Sequence, residues 1–192
     1  MALIDRLFGA RSADALVREH GPAVARLLRR VLGPRADIDD VFQAVFVEVV
    51  RSLPTFTGRA QLGTWIHRVT LNVAYQEMRS RYRERARLDD GEGLDELASG
   101  AEDAEGAVLR AESIRRVYEG LETLDPRRRI AVILHDLEGR PLREVAELLD
   151  RPLQTVASQV KVGRAELARW FRESERVAAG PSCGAAHERG AR

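Results

Sequence analysis

Two stretches of this 192-residue chain carry side chains suited to nucleic acid. In the first, Trp65, Tyr75 and Tyr82 stand among Arg68, Arg79, Arg81, Arg83 and Arg85, just after a segment holding Phe56, Thr57, Gly58 and Arg59. Aromatic rings stack on unpaired bases while guanidinium groups hold the adjoining backbone. A tryptophan in a core beside a solvated arginine face has the same composition, so the stretch alone leaves both readings open. The second is RPLQTVASQVKVGRAELARWF, residues 151–171. An apolar stripe at Val156, Val160 and Leu167 leaves Gln154, Thr155, Ser158, Gln159, Lys161 and Arg164 facing elsewhere. Gln, Ser, Lys and Arg read base edges or hold phosphates. An α-hairpin inside a helical bundle has the same pattern, and bases are few here, with Arg151 and Lys161 the only ones before Arg164.

No reaction chemistry accompanies these stretches. The chain has no phosphate-binding loop and no dinucleotide fingerprint. His20, His67, His135 and His187 lack ligand spacing, and Cys183 with His187 offers only two donors. The expectation is a protein without catalytic residues, metal or cofactor, not an enzyme. Acidic pairs have plainer uses: Asp39-Asp40 at a helix start, Asp89-Asp90 in a linker. Asp37, Asp39, Asp40 and Gln43, at the exposed start of a helix whose far side is apolar, also suit a protein-docking surface.

The elements that must carry these residues have a helical period throughout. Helices are expected at 12–32, ended by Gly33-Pro34, then over DIDDVFQAVFVEVVRSL with Asp37 or Asp39 as cap, ended by Pro54. A loop follows at 54–64. The next helix starts with Thr64 as its cap and runs through TWIHRVTLNVAYQEMRSRYRERAR. Later helices are expected at 108–123, 126–137, 141–150 and 153–172, with Asp125-Pro126 as a cap and first helical proline. Residues 141–170, two short amphipathic helices around Asp150-Arg151-Pro152, have the helix-turn-helix pattern. The fold class is all-α, with two small helical domains joined by a flexible linker and the helix-turn-helix in the second.

Charge draws the same division. Residues 1–87 hold 15 Arg against 9 acids, 88–109 hold 8 acids and no base, and 113–176 hold 13 bases and 11 acids. The net charge of +1 therefore hides a basic first segment, the better electrostatic footprint for nucleic acid. The boundaries expected are 10–87, an acidic linker at 88–112, 113–174, and a loose tail at 175–192. One cysteine excludes an internal disulfide and suits a reducing compartment. No run of 18 apolar residues occurs, so membrane insertion is not expected and a cytoplasmic location is.

Taken together, DIDDVFQAVFVEVVRSLPTFTGRAQLGTWIHRVTLNVAYQEMR closely resembles region 2 of the extracytoplasmic-function (ECF) sigma factors of bacterial RNA polymerase. LETLDPRRRIAVILHDLEGRPLREVAELLDRPLQTVASQVKVGRAEL resembles their region 4. The resemblance covers roughly 12–85 and 113–172, in order, without the intervening third region. It implies a transcription initiation factor that binds core polymerase and directs it to a small set of promoters. Asp37, Asp39, Asp40, Gln43 and Phe46 match the surface that docks on the clamp helices of the largest subunit, with the flap as a further contact. Phe56, Thr57, Arg59, Trp65, Arg68, Asn72 and Arg79 match the elements that capture and open the −10 strand. Arg151, Gln154, Thr155, Ser158, Gln159, Lys161 and Arg164 match the helix that reads the −35 element. The resemblance also implies an anti-sigma partner.

The chain departs from the family pattern at Gln43-Ala44, where Gln-Glu is usual, and at Ala157, Gln159 and Val162, where basic residues are usual. Asp150 and Gln154 stand near a turn where Gly is usual. Fewer phosphate contacts weaken binding on every sequence, so the −35 contact is expected to be weak or directed at an unusual element. The competing expectation is a sigma-like DNA-binding regulator that does not itself support initiation.

Overall fold

The helical period is realised along the computed structural model, which describes residues 13–34, 36–88 and 105–178. The first group of helices is α1 (Ala13–Leu32), α2 (Asp39–Ser52) and α3 (Leu62–Leu88), with a 3-10 turn at Leu53–Thr55. These three pack on one another around Leu16, Val24, Leu28, Val45, Val49 and Ile66, each at most 2% exposed. Burial of each such side chain contributes about 1.5–3 kcal/mol.

Local chemistry sets the ends. Gly33 takes φ +109°, a conformation open to glycine, and its amide bonds the Arg29 carbonyl, closing α1. The Asp37 carboxylate accepts the Asp39 amide at 3.1 Å, and Asp39 and Asp40 sit at the positive end of the α2 dipole. Thr64 is not the cap of α3. That helix begins two residues earlier at Leu62, and the Trp65 amide already bonds the Gln61 carbonyl.

The second group is α4 (Glu105–Glu122), α5 (Pro126–Val132), α6 (Leu142–Leu149) and α7 (Leu153–Ala178). Asp125 accepts the Arg127 amide ahead of Pro126, the cap expected there. The helix expected over 126–137 changes character halfway: Ile133–Leu137 form a π-turn. Between α6 and α7, Asp150 adopts the left-handed conformation at φ 50°. Behind it the Arg151 amide bonds the Ala146 carbonyl. Aspartate tolerates this better than most side chains, but glycine adopts it without strain.

α7 lies against α5 through Val156 and Val160, both buried, and then through Gly163. A Cβ on Gly163 would stand 2.7 Å from Val132 Cγ2, so the close approach of these two helices depends on its absence. Gly120 admits the Trp170 ring to α4 in the same way, at 2.9 Å.

The two groups are docked. Arg129, 7% exposed, donates from Nε to the Val31 carbonyl at 3.1 Å and from Nη2 to the Leu32 carbonyl at 2.7 Å. A cation from the second group thus satisfies the last-turn carbonyls of α1, at the negative end of its dipole. Around it, the Tyr118 hydroxyl donates to the Arg30 carbonyl, and Arg30 pairs with Glu138. Arg127 donates to the Tyr75 hydroxyl at 3.1 Å and lies over that ring.

Some expected boundaries shift. Helix α4 begins at Glu105, so the last eight residues of the expected linker, 105–112, are helical, while 89–104 lie outside the described residues. Helix α7 runs to Ala178, past the expected start of the tail at 175. Residues 179–192, with Cys183 and His187, lie outside the described residues.

Candidate nucleic-acid interface

One face of α3 gathers the expected −10 residues. Trp65, Arg68, Asn72 and Arg79 are separated by three, four and seven residues, which at 3.6 residues per turn puts them within an arc of about 60°. The opposite side carries Ile66, Thr70, Leu71, Ala74 and Met78, all buried. Folding therefore uses one side of the helix and leaves the other. The Phe56 ring tilts against Trp65 with centroids 5.3 Å apart, which fastens the preceding loop to the start of the helix. Thr57 and Arg59 are exposed on that loop. Arg59, Arg68 and Arg79 have no ion pair among the described residues, so their charges are available to an anionic ligand. Arg68 Nε is shielded from solvent without a hydrogen-bond partner.

α7 is arranged differently. Gln154, Thr155, Ser158 and Lys161 are exposed, opposite the buried stripe of Val156, Val160 and Gly163. Two of the expected reading residues are not placed as the pattern suggested. Gln159 falls on the shoulder of the buried stripe, one turn before Gly163, and its Oε1 is shielded and without a partner. Arg164 is exposed but engaged: its Nε donates to Asp136 Oδ2 at 2.9 Å and its Nη2 to Asp136 Oδ1. That pairing raises the Arg164 pKa. Arg151, half-buried, lines an open cleft of about 440 Å³ with Arg143, Glu147, Asp150 and, from α3, Arg68.

On α2, Asp37, Asp39, Asp40 and Gln43 are all exposed at the start of the helix, as a docking surface requires. Phe46 is not on that surface. It is 7% exposed and packs on Phe42 with centroids 5.0 Å apart, so it supports the face from behind. The exposed residue that continues the face is Val47, 68% exposed, four residues after Gln43 and seven after Asp40. Val50, 46% exposed, extends it. The apolar periodicity of α2 hides Val47, because valines occupy both sides of this helix.

Residues 16–84 match the model of sigma-70 region 2, and residues 114–167 match that of sigma-70 region 4. The chain is 31% identical over 168 residues to the ECF RNA polymerase sigma-E factor of Haemophilus influenzae, across 83% of this chain and 88% of that protein. This chain is a member of the ECF branch of the sigma-70 family. Sigma factors are transcription initiation factors, and the two matched regions are the two docked groups of helices. Its fold is also that of solved relatives. CnrH, in complex with the cytosolic domain of CnrY, is 25% identical with a TM-score of 0.52, covering 88% of this sigma factor and 98% of the solved chain. The sigma factor RpoE of Bartonella quintana, in complex with the anti-sigma factor NepR, is 19% identical with a TM-score of 0.53, covering 81% and 94%. Among the described residues no helix is long and apolar enough to cross a membrane.

Proposed function

We propose that this sigma factor docks on core RNA polymerase through the exposed face of α2, opens and holds the −10 strand with the 54–62 loop and α3, and reads the −35 duplex with α7. The docking face comprises Asp37, Asp39, Asp40, Gln43 and Val47. Phe56, Thr57, Arg59, Trp65, Arg68, Asn72 and Arg79 serve the −10 strand. Gln154, Thr155, Ser158 and Lys161 form the centre of the −35 face, with Arg151 at its start. The observation that carries this reading is the α3 face, where arginines without ion pairs share one arc with Trp65, against which Phe56 tilts, opposite a core face. Strand capture needs a ring to replace base stacking and cations to hold the phosphates, and little else.

The docked arrangement has a consequence for promoter engagement. Arg68 and Arg151 line one cleft, whereas elements centred at −10 and −35 are about 25 base pairs apart, or about 85 Å at 3.4 Å per base pair. The two groups therefore separate when both elements are bound. Holding them together is a means of restraint, and the complex of CnrH with the cytosolic domain of CnrY supports a second protein as a further partner, which we read as an anti-sigma factor. A chain that acts on core polymerase in this way works in the cytoplasm.

Reconstituted transcription with core polymerase on genomic templates tests the reading. Defined products from a small set of start sites are expected. DNA binding without initiation would instead favour a regulator that has lost the sigma activity.

A further inference from the structure

The charged groups of α7 and its surroundings are treated unequally. Lys161 and Arg151 have no ion pair among the described residues, while Arg164 is held by both oxygens of Asp136. The acid is placed there by the π-turn. Within that turn the Glu138 amide bonds the Ile133 carbonyl at 3.0 Å, a span of five residues, and the Arg140 amide reaches the Leu134 carbonyl at 3.1 Å. The wider turn carries Asp136 to a residue 28 positions later in the chain. A bidentate carboxylate occupies one edge of the guanidinium and fixes its plane. It also sets a negative charge where a DNA phosphate would approach. The Arg164 side chain is 57% exposed and Asp136 25%, so the pair sits at the open rim of α7, within reach of a duplex.

We propose that Asp136 sets the DNA affinity of α7 by occupying Arg164, so that the helix engages duplex DNA with one phosphate contact fewer than its sequence offers. Asp136 is a positioning residue: it acts on DNA through Arg164. The proposal rests on α7 being the duplex-binding helix. The pairing lowers the sequence-independent part of −35 binding without any change to the residues that face the bases.

The test is binding of the full chain to a labelled duplex, followed by fluorescence anisotropy across a sodium chloride series. Asp136→Asn, which keeps the shape and removes the charge, is expected to tighten binding on every sequence, on the order of 3- to 10-fold near 0.1 M salt. It is also expected to steepen the slope of log K against log salt by about 0.9, one phosphate contact. Asp136→Ala gives the same release by another route, and far-UV circular dichroism confirms that both variants are folded. Adding Arg164→Gln to Asp136→Asn abolishes the gain. Lys161→Gln separates the two layers of the argument, because it flattens the slope by about 0.9 if α7 lies on the duplex. A flattened slope in Lys161→Gln with unchanged or weaker binding in Asp136→Asn overturns the lock and leaves the −35 assignment standing. No response to any of these substitutions overturns both.

Discussion

The two faces proposed to meet DNA, on α3 and on α7, are built on opposite plans. Behind the α3 face the helix buries large side chains, Ile66, Leu71 and Met78, and in front it presents an aromatic pair and arginines without acid partners. Behind the α7 face the contact thins to Val156, Val160 and a glycine, and in front stand amides, hydroxyls and one free lysine, with the arginine held by Asp136. The difference matches what each target supplies. An opened strand offers base faces and phosphates, so rings and free cations suffice. A closed duplex offers base edges in a groove, so short polar side chains on a helix set at a fixed depth matter more. Under the proposed function, affinity is concentrated on α3 and geometry on α7.

Substitutions break this contrast in order of size. Replacing Arg59 and Trp65 together by Ala removes a stacking ring and a phosphate contact, about 2–4 kcal/mol at the step that opens DNA. Potassium permanganate footprinting should show open complexes reduced on the order of 30- to 1000-fold, with duplex binding by α7 changed less than about twofold. Equal losses in both would mean that the faces are not separate. Next, Arg129→Ala leaves two α1 carbonyls shielded and unpaired at the joint, a cost of about 2–3 kcal/mol in thermal or urea unfolding. Arg129→Lys should recover part of it, because a point charge meets the dipole without the fork. Gly163→Ala should destabilise by about 1–2 kcal/mol after the gain in helix propensity is counted. Val132→Ala, which clears the clashing methyl, should make the alanine at 163 tolerable, and a double-mutant cycle measures that coupling. The smallest change has the opposite sign: Asp150→Gly relaxes a left-handed backbone and should stabilise by about 0.5–1 kcal/mol.

Much of the fold was legible because helices announce themselves by period and punctuation. Gly33-Pro34, Asp125-Pro126 and Pro54 mark real ends, and the helix-turn-helix follows from two amphipathic runs around Asp150-Arg151-Pro152. The shared face of α3 was legible too, since Trp65, Arg68, Asn72 and Arg79 are local to one helix and their spacing alone puts them on one side. What escaped depends on partners distant in the chain. Arg129 reads as one of three consecutive arginines and gives no sign that it caps α1 from 97 residues away. Asp136 reads as an acid in a helix, because the π-turn that aims it at Arg164 has no periodic signature. Phe46 was expected on the docking face and Val47 was passed over for a related reason: a helix rich in valine on every side does not reveal which side is covered. Gly163 did leave a trace, since it fills the missing step between Val160 and Leu167 in the buried stripe.

The central claim is that this sigma factor divides strand opening and duplex reading between α3 and α7. Permanganate footprinting of the reconstituted polymerase on one responsive promoter, run in parallel for wild type and the Arg59→Ala, Trp65→Ala double variant, tests it most directly. The account predicts that the double variant protects the −35 element in a DNase I footprint as wild type does, while reactive thymines at −10 disappear. Loss of −35 protection together with opening, in a folded protein that still binds core polymerase, would contradict the division.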